Sequence, residues 1–412
     1  MSRNKKLGLR IGVDSGGTFT DFVIHHEGQI RIKKIPSTPQ DPSAAILDGL
    51  YEFLSQPDSF IIHGTTVGTN ALLEKKGGRT AFLTTQGFED IIFIGRQTRK
   101  SLYSLKGETR NFLVEPSLCF GLKERVLASG LVEQPLDQSG LEKVIRILKN
   151  KRAEAVAVCL LHSYLNPVHE NLIARKLIET GFKVSASSAL LPEHREYERA
   201  LTTVINAYLL PVMDHYISSL QSKMSQATLK IMQSNEGYIS AEKARLEPIK
   251  TILSGPTGGV VGAWNLAKAA GFRNVISFDM GGTSTDVSLI DGQIKRSTEN
   301  RIGEFPIRLP MVDVHSVGAG GGSVVYVDRG GLLRVGPQSV GANPGPACYG
   351  VGDIPSVTDA NVCLGRLDPE FFLGGRMKIY PDKSRKSLEK IARKIRRNLV
   401  ETALGVVEIA NA

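Results

Sequence analysis

The chain has 412 residues, a hydrophobic fraction of 41% and a formal net charge of +10. This length predicts two or three domains, and the composition is that of a globular protein with no apolar run long enough to span a membrane. The basic excess lies in local clusters without a basic–aromatic recognition motif, so we expect a solvated basic face or a docking surface for an acidic partner, and no nucleic acid. The four scattered cysteines and the lack of a signal peptide pattern predict reduced thiols and a cytoplasmic location.

The first part of the chain alternates strand patterns with helix patterns. A hairpin is expected around the Glu27-Gly28 pair. The predicted elements are a strand at 9–16, the hairpin at 19–35, a helix at 42–54, a strand at 59–62, a helix at 65–76, a strand at 79–85, a helix at 140–151 and a strand at 153–161. This alternation predicts an α/β core with a mostly parallel sheet.

A second α/β unit is predicted after a boundary between about residues 185 and 200, which gives domains at 8–185 and 200–412. Its elements are a helix at 199–213, a strand at 230–234, a helix at 254–271, a strand and turn at 275–282 and a hairpin at 285–294. An apolar helical stripe from Leu388 to Ala410 runs to the end of the chain. We expect nothing in this sequence to cover that stripe.

One turn occurs twice, as VDSGGTFTD from Val13 and as FDMGGTSTD from Phe278. Paired glycines let the backbone approach a ligand, successive N–H groups can bind an anion, and threonine hydroxyls can donate to phosphate oxygens. An aspartate at a strand end can hold Mg²⁺. The pattern therefore predicts two phosphate loops that clamp a polyphosphate, although single Asp-Gly-Gly turns often only close hairpins. The candidate residues are Asp14, Ser15, Gly16, Gly17, Thr18, Thr20 and Asp21 in the first copy, and Asp279, Gly281, Gly282, Thr283, Thr285 and Asp286 in the second.

With these turns the sequence resembles the actin-like ATPase superfamily, and within it the hydantoinase A/oxoprolinase family. The resemblance runs from Leu9 to Ala412 through IGVDSGGTFTDFVI, HGTTVGTNALLEKKGGRTAFLTTQGFEDIIFIGRQ, EHREYERALTTVINAYLLPVM, SNEGYISAEKA, TILSGPTGGVVGA, FDMGGTSTDVSLI, DVHSVGAGGGS, GPQSVGANPGPACYG and TDANVCLGRLDP. It implies a duplicated actin-like (ribonuclease H-like) ATPase fold, with ATP and Mg²⁺ as cofactors and Asp14 and Asp279 as metal-binding, catalytic carboxylates.

The resemblance also implies an activity, the ATP-dependent phosphorylation of a carbonyl-type oxygen. In hydantoinases and 5-oxoprolinases this activates a cyclic amide for hydrolysis, and in acetone carboxylase β subunits it activates a ketone for attack on bicarbonate. We expect a cyclic amide hydrolase subunit that works with a hydantoinase B-type subunit. The alternatives are a carboxylase β-type ligase and a non-catalytic remnant.

Three further residues are candidates for the catalytic site. His63 opens HGTTVGTN and could face the γ-phosphate or the substrate at a helix N-terminus, although simple capping also explains this segment. Asp313 and His315 in DVHSVGAGGGS would share one face of a strand, as a metal-ligand pair or an acid/base pair. The following glycines form a ligand-closing loop or a plain turn.

The chain departs from the family pattern at two places. Asn343 stands where relatives commonly have Asp, so any metal or substrate role of that carboxylate would be lost. Relatives also continue past VEIANA to a GGAGPLHA-like motif that resembles an adenosine-binding element. We therefore expect the second actin-like half to be incomplete, and a companion polypeptide to carry the missing part.

Overall fold

The computed structural model describes residues 8–38, 40–54, 56, 59–98, 103, 112–224 and 226–412. Within these ranges, no helix is both long and apolar enough to cross a bilayer. Strands and helices alternate through much of the chain, so the predicted α/β class is confirmed.

The strands are β1 (Arg10–Ser15), β2 (Phe19–His26), β3 (Gln29–Pro36), β4 (Phe60–Thr65), β5 (Thr80–Thr85), β6 (Cys119–Leu122), β7 (Arg125–Val126), β8 (Val132–Gln134), β9 (Ala155–Cys159), β10 (Lys183–Ala186), β11 (Thr228–Met232), β12 (Tyr238–Ser240), β13 (Asn274–Met280), β14 (Thr285–Asp291), β15 (Arg296–Ser297), β16 (Asn300–Ile302), β17 (Phe305–Ile307), β18 (Met311–Val312), β19 (His315–Val317), β20 (Ser323–Val327) and β21 (Leu333–Ser339).

The helices are α1 (Pro42–Leu50), α2 (Val67–Leu73), α3 (Ile91–Ile94), α4 (Gln138–Asn150), α5 (Val168–Glu179), α6 (Ser187–Leu190), α7 (Glu196–Lys223), α8 (Ala241–Leu246), α9 (Ser254–Ala269), α10 (Val357–Cys363), α11 (Pro381–Ile395) and α12 (Leu399–Asn411).

The first sheet has the order β12-β11-β4-β1-β2-β3. The β1–β2–β3 meander is antiparallel, whereas β4 lies parallel to β1, and β11 lies parallel to β4. Alternate residues of β1 are buried, because one face of a strand packs on the core while the other does not. Ile11 and Val13 belong to a core that also contains side chains of α1 and α7. This sheet therefore takes strands from both sides of the boundary predicted near residues 185–200.

A second sheet, β10-β9-β5-β6, is parallel throughout. Every residue of β5 and of β9 is buried, as expected for parallel strands with both faces covered. Helix α7 is long enough to pack against this sheet and against the first one, and residues of α7 belong to both cores.

The repeated turn of the C-terminal part joins β13 to β14, and β14 pairs on its other side with β19. The two copies of the turn have the same strand register, because Asp14 lies opposite Asp21 and Asp279 lies opposite Asp286. The predicted hairpin at 285–294 reduces to one bridge between Ile290 and Ile294.

The C-terminal apolar stripe differs from the sequence prediction. It is divided between α11 and α12, because Arg396 has a left-handed backbone conformation that ends the first helix. Leu388, Ile391, Ala403 and Val406 are buried in a core shared with α10, β20 and β21. The expectation that nothing covers this stripe was wrong.

Candidate functional site

The two copies of the repeated turn face each other. A methyl group placed on Gly17 would lie 3.7 Å from Thr283 Oγ1, and one placed on Gly282 would collide with Thr18 Oγ1. The internal geometry of the two turns is also the same. Gly16 N–H donates to Phe19 O at 3.0 Å, and the equivalent bond joins Gly281 N–H to Ser284 O at 2.9 Å. Folding thus brings together two segments that are far apart in the chain.

The site is rich in carboxylates. Burial among surrounding atoms raises the pKa of Asp14 from its ordinary value of 3.8 to about 6, and the negative charges of Asp21, Asp279 and Asp286 add to that effect. Lys34 acts in the opposite direction and forms an ion pair with Asp21 at 2.7 Å. Burial and the charge of Asp279 also raise the pKa of Asp286, although a hydrogen bond from Ser316 opposes the shift. The excess negative charge favours a bound cation.

Helix α9 lies against both strand-end carboxylates. A methyl group on Gly255 would approach Asp14 Oδ1 to 2.8 Å, and one on Gly259 would lie 3.7 Å from Asp279 Oδ2. A methyl group on Gly64, near the end of β4, would likewise lie only 3.1 Å from Asp14 Oδ1. These glycines in TILSGPTGGVVGA and HGTTVGTN were not among the predicted site residues. Gly255 and Gly259 are four residues apart and therefore share one face of α9, and this spacing is the feature of the sequence that could have identified them.

The glycine-rich loop after β19 supports the second turn. Gly321 N–H donates to Gly281 O at 3.1 Å, and Gly322 N–H donates to Gly282 O at 2.7 Å. A methyl group on Gly320 would lie 2.7 Å from Gly281 O, so the loop can approach the turn only without side chains. The loop therefore positions the backbone of the second turn, as a plain turn packed against it.

The predicted phosphate donors divide into two groups. Thr20 Oγ1 bonds to Ser37 Oγ at 2.9 Å, and Thr285 Oγ1 donates to Ala319 O at 2.6 Å, so both hydroxyls hold loops in place. Their predicted role as direct phosphate donors is corrected accordingly. Thr18 and Thr283 lie instead where the two turns meet, and Thr283 is exposed. Ser15 is buried, and its carbonyl oxygen accepts a hydrogen bond from Thr66 Oγ1 at 3.0 Å.

His63 occupies a position different from the one predicted. Its ring is fully buried, with Nε2 at 2.6 Å from Tyr216 Oη and Nδ1 at 3.3 Å from Val13 O. Burial lowers the pKa of His63 to about 4, so the ring is neutral near pH 7. We therefore correct the prediction that His63 contacts phosphate or substrate: the side chain supports the core beneath β1.

Asp313 and His315 do not share a strand. Asp313 precedes β19, where its N–H donates to Lys295 O at 3.0 Å and its carbonyl oxygen accepts from Ser288 Oγ at 2.7 Å. His315 begins β19 opposite Val287, on the sheet face away from Asp286 because neighbouring residues of a strand alternate. The prediction that the two side chains form one pair on a strand was wrong. Asn343 is exposed in a turn.

The residues at the two turns fit a magnesium-bound polyphosphate. Within the described parts of the chain, no group of three or more His, Cys, Asp or Glu residues is arranged to hold a metal. Mg²⁺, however, needs only one or two carboxylates when water and phosphate oxygens complete its shell. Asp14 and Asp279 supply such a pair, and the glycines around them leave room that side chains would fill.

Comparisons with known proteins identify the family of this chain. The hydantoinase/oxoprolinase N-terminal region matches residues 10–181, and the hydantoinase/oxoprolinase family matches residues 199–412. An uncharacterised protein of Methanocaldococcus jannaschii is 38% identical over 98% of this chain and 63% of its own length. Caprolactamase subunit alpha of Pseudomonas jessenii is 35% identical over 98% of this chain and 62% of its own.

Solved structures show the same relationship. A nucleotide-free acetone carboxylase structure, described as part of ATP-dependent acetone carboxylation, has a TM-score of 0.81 and 28% identity, covering 98% of this chain and 61% of the other. The chain thus spans less than two thirds of the length of these relatives. With a family match over more than half of its residues, the chain belongs to the hydantoinase/oxoprolinase family.

Proposed function

We propose that this chain is part of an ATP-dependent hydrolase that phosphorylates and opens a cyclic amide of the hydantoin or 5-oxoproline type. The observation that carries the proposal is the pair of facing Gly-Gly-Thr turns, each preceded by a carboxylate at a strand end. The relatives add support, because one is a caprolactamase subunit whose solved structure is described as ATP-dependent, and caprolactam is a cyclic amide.

The proposed fold is a duplicated actin-like ATPase, with halves near 8–185 and 200–412. The matching registers and turn geometries of β1–β2 and β13–β14 support the duplication. All four cysteines are free thiols, which suits the proposed cytoplasmic location. The proposed partner is a hydantoinase B-type subunit, since a relative is itself described as one subunit.

Each half of the site has a role in this proposal. Bound magnesium would neutralise phosphate charge, and Asp14 and Asp279 would hold it. The backbone N–H groups of the two turns and the hydroxyls of Thr18 and Thr283 would hold the phosphates. Transfer of the γ-phosphoryl group to the amide oxygen makes the ring carbon electrophilic. A first water attacks that carbon, and cleavage of the ring C–N bond leaves a free amine and an acyl phosphate. A second water hydrolyses the acyl phosphate, so that ADP, phosphate and the ring-opened acid are released.

The test is ADP release by the chain reconstituted with a hydantoinase B-type subunit, with 5-oxoproline, hydantoin and caprolactam as substrates. Asp14→Asn and Asp279→Asn should each lower turnover about 100-fold or more, because each removes a metal-orienting charge worth a few kcal/mol at the transition state. Asp353→Asn, at an exposed surface pair, is the matched control and should leave turnover unchanged. Turnover of both site variants within threefold of the parent would contradict the assignment.

A ligase of the acetone carboxylase type is the second candidate, favoured by the structural similarity with a TM-score of 0.81. The same assay distinguishes the two, because a carboxylase would release ADP only when a ketone and bicarbonate are both present. A third possibility is a non-catalytic protein. Absence of ADP release with every substrate, despite a folded complex, would support it.

A further inference from the structure

One face of the β13-β14-β19 sheet is apolar and exposed. The side chains of each strand alternate, so the face that bears Asp279, Ser288 and Ile290 packs against α9. The opposite face is solvent-exposed, with residues that are 45–67% accessible, namely Ile276, Phe278, Met280, Leu289 and Val317. A contiguous apolar surface of this kind on a protein usually marks an interaction site.

The first copy of the repeat shows how this face is normally covered. Because the two turns align residue for residue, the positions equivalent to Ile276, Phe278 and Leu289 are known in the first sheet. The residues equivalent to Ile276, Phe278, Met280 and Leu289 are at most 4% accessible, namely Ile11, Val13, Ser15 and Ile24. Phe22 on the same face is fully buried, and Ile35, equivalent to Val317, is half-buried. They are covered by helices, and α1 packs so closely that a methyl group on Gly49 would collide with Phe22.

The edges of the two sheets differ in the same way. In the first sheet β1 pairs with β2 on one side and with the parallel strand β4 on the other, where Asp14 aligns with Gly64. In the second sheet β13 pairs with β14, and within the described residues no strand pairs with its other edge. An open strand edge readily accepts another strand.

We infer that the exposed face and the open edge of β13 form one docking surface for a polypeptide segment that supplies a parallel strand and an amphipathic helix. The strand would extend the sheet beside Asp279, as β4 does beside Asp14, and the helix would cover Phe278 and its neighbours. A second copy of this chain fits less well. Twofold symmetry would pair β13 antiparallel with itself and would bring no helix onto the apolar face.

The relatives indicate where such a segment could come from. Each has more than a third of its length outside the match with this chain. This inference rests on the duplicated fold of the proposed function and specifies which face of its second half receives the segment. The experiment measures complex formation in the absence of nucleotide, so a negative result would not affect the phosphate-site proposal. Likewise, a failure to detect ATP turnover would not affect the proposed docking surface.

The experiment is co-purification of this chain with a tagged probe, the part of the Methanocaldococcus jannaschii relative that lies outside its match. The corresponding part of the Pseudomonas jessenii caprolactamase subunit is a second probe. We expect a one-to-one complex with at least one of them, and slower amide hydrogen exchange in β13 upon binding. Phe278→Asp should weaken the complex about thirtyfold or more, because it removes a large aromatic side chain from the interface and buries a charge.

The matched control is Leu266→Asp on α9, a residue that is also exposed but lies outside the sheet face. This variant should bind as the parent does. The inference is overturned if neither probe forms a complex, if Phe278→Asp binds as tightly as Leu266→Asp, or if β13 exchange is unchanged by binding. A symmetric dimer of this chain that Phe278→Asp dissociates would also overturn it, in favour of a second copy as the occupant.

Discussion

Removing the charge of Asp14 should stabilise the fold while it damages the proposed site. The pKa of Asp14 is raised from 3.8 to about 6, so the ionised carboxylate is less favourable in the folded state than in the unfolded chain. At about 1.4 kcal/mol per pKa unit, ionised Asp14 would lower the free energy of unfolding by at most about 3 kcal/mol. Because solvent reaches this side chain, screening reduces the expected loss to about 1 kcal/mol.

The destabilisation of the fold by ionised Asp14 is fully present above pH 6, shrinks as the pH falls towards 3.8, and is absent below that value. In magnesium-free buffer at pH 7.5, Asp14→Asn should therefore melt about 2 °C above the parent. The difference should shrink at pH 5 and vanish near pH 4. Differential scanning calorimetry over this pH range measures it, and magnesium with ATP should then stabilise the parent more than the variant.

Asp214→Asn is a control for which we expect the opposite change in melting temperature. Burial tends to raise its pKa, but hydrogen bonds from Lys183 and Arg245 outweigh burial and hold the pKa below its ordinary value. Asp214→Asn should thus lower the melting temperature at pH 7.5, and that loss should disappear as the pH falls below about 4. A melting temperature of Asp14→Asn equal to or below the parent at pH 7.5, with no pH trend, would refute the reasoning.

Two further predictions concern close packing and a buried carboxylate. Gly255→Ala should weaken magnesium–ATP binding about tenfold or more in titration calorimetry, because its methyl group would meet Asp14 Oδ1 at 2.8 Å. Gly262→Ala, with open space around it on the same helix, should bind normally and melt slightly higher. Asp359→Ala should cost about 3 kcal/mol or more in denaturant unfolding, because this buried carboxylate accepts bonds from Ala347, Cys348, Ser356 and Ser384. Asp353→Ala, at an exposed pair, should change stability by less than about 1 kcal/mol, and equal effects of the two changes would contradict the argument.

The sequence by itself determined the local features of this protein. Short apolar segments predicted β1, β5 and β9, and the Glu27-Gly28 pair predicted the β2–β3 hairpin that the structure contains. The repeated octapeptide predicted two equal turns, because turn geometry depends on glycines and a few neighbouring side chains. The order of the family motifs also predicted membership of the hydantoinase/oxoprolinase family, which the comparisons confirm.

Tertiary structure decided which of these residues can reach a ligand. The position of His63 before a predicted helix suggested that it could reach a ligand, but in the folded chain its ring is buried and contacts Tyr216. The apolar C-terminal stripe looked uncovered, but α10 and β21 bury it, whereas the sheet face around Phe278 leaves apolar side chains exposed. Gly255 was not among the predicted site residues, and only the packing of α9 brings it close to Asp14. Side-chain direction and long-range contact depend on how distant segments pack, and the pattern of neighbouring residues does not contain that information.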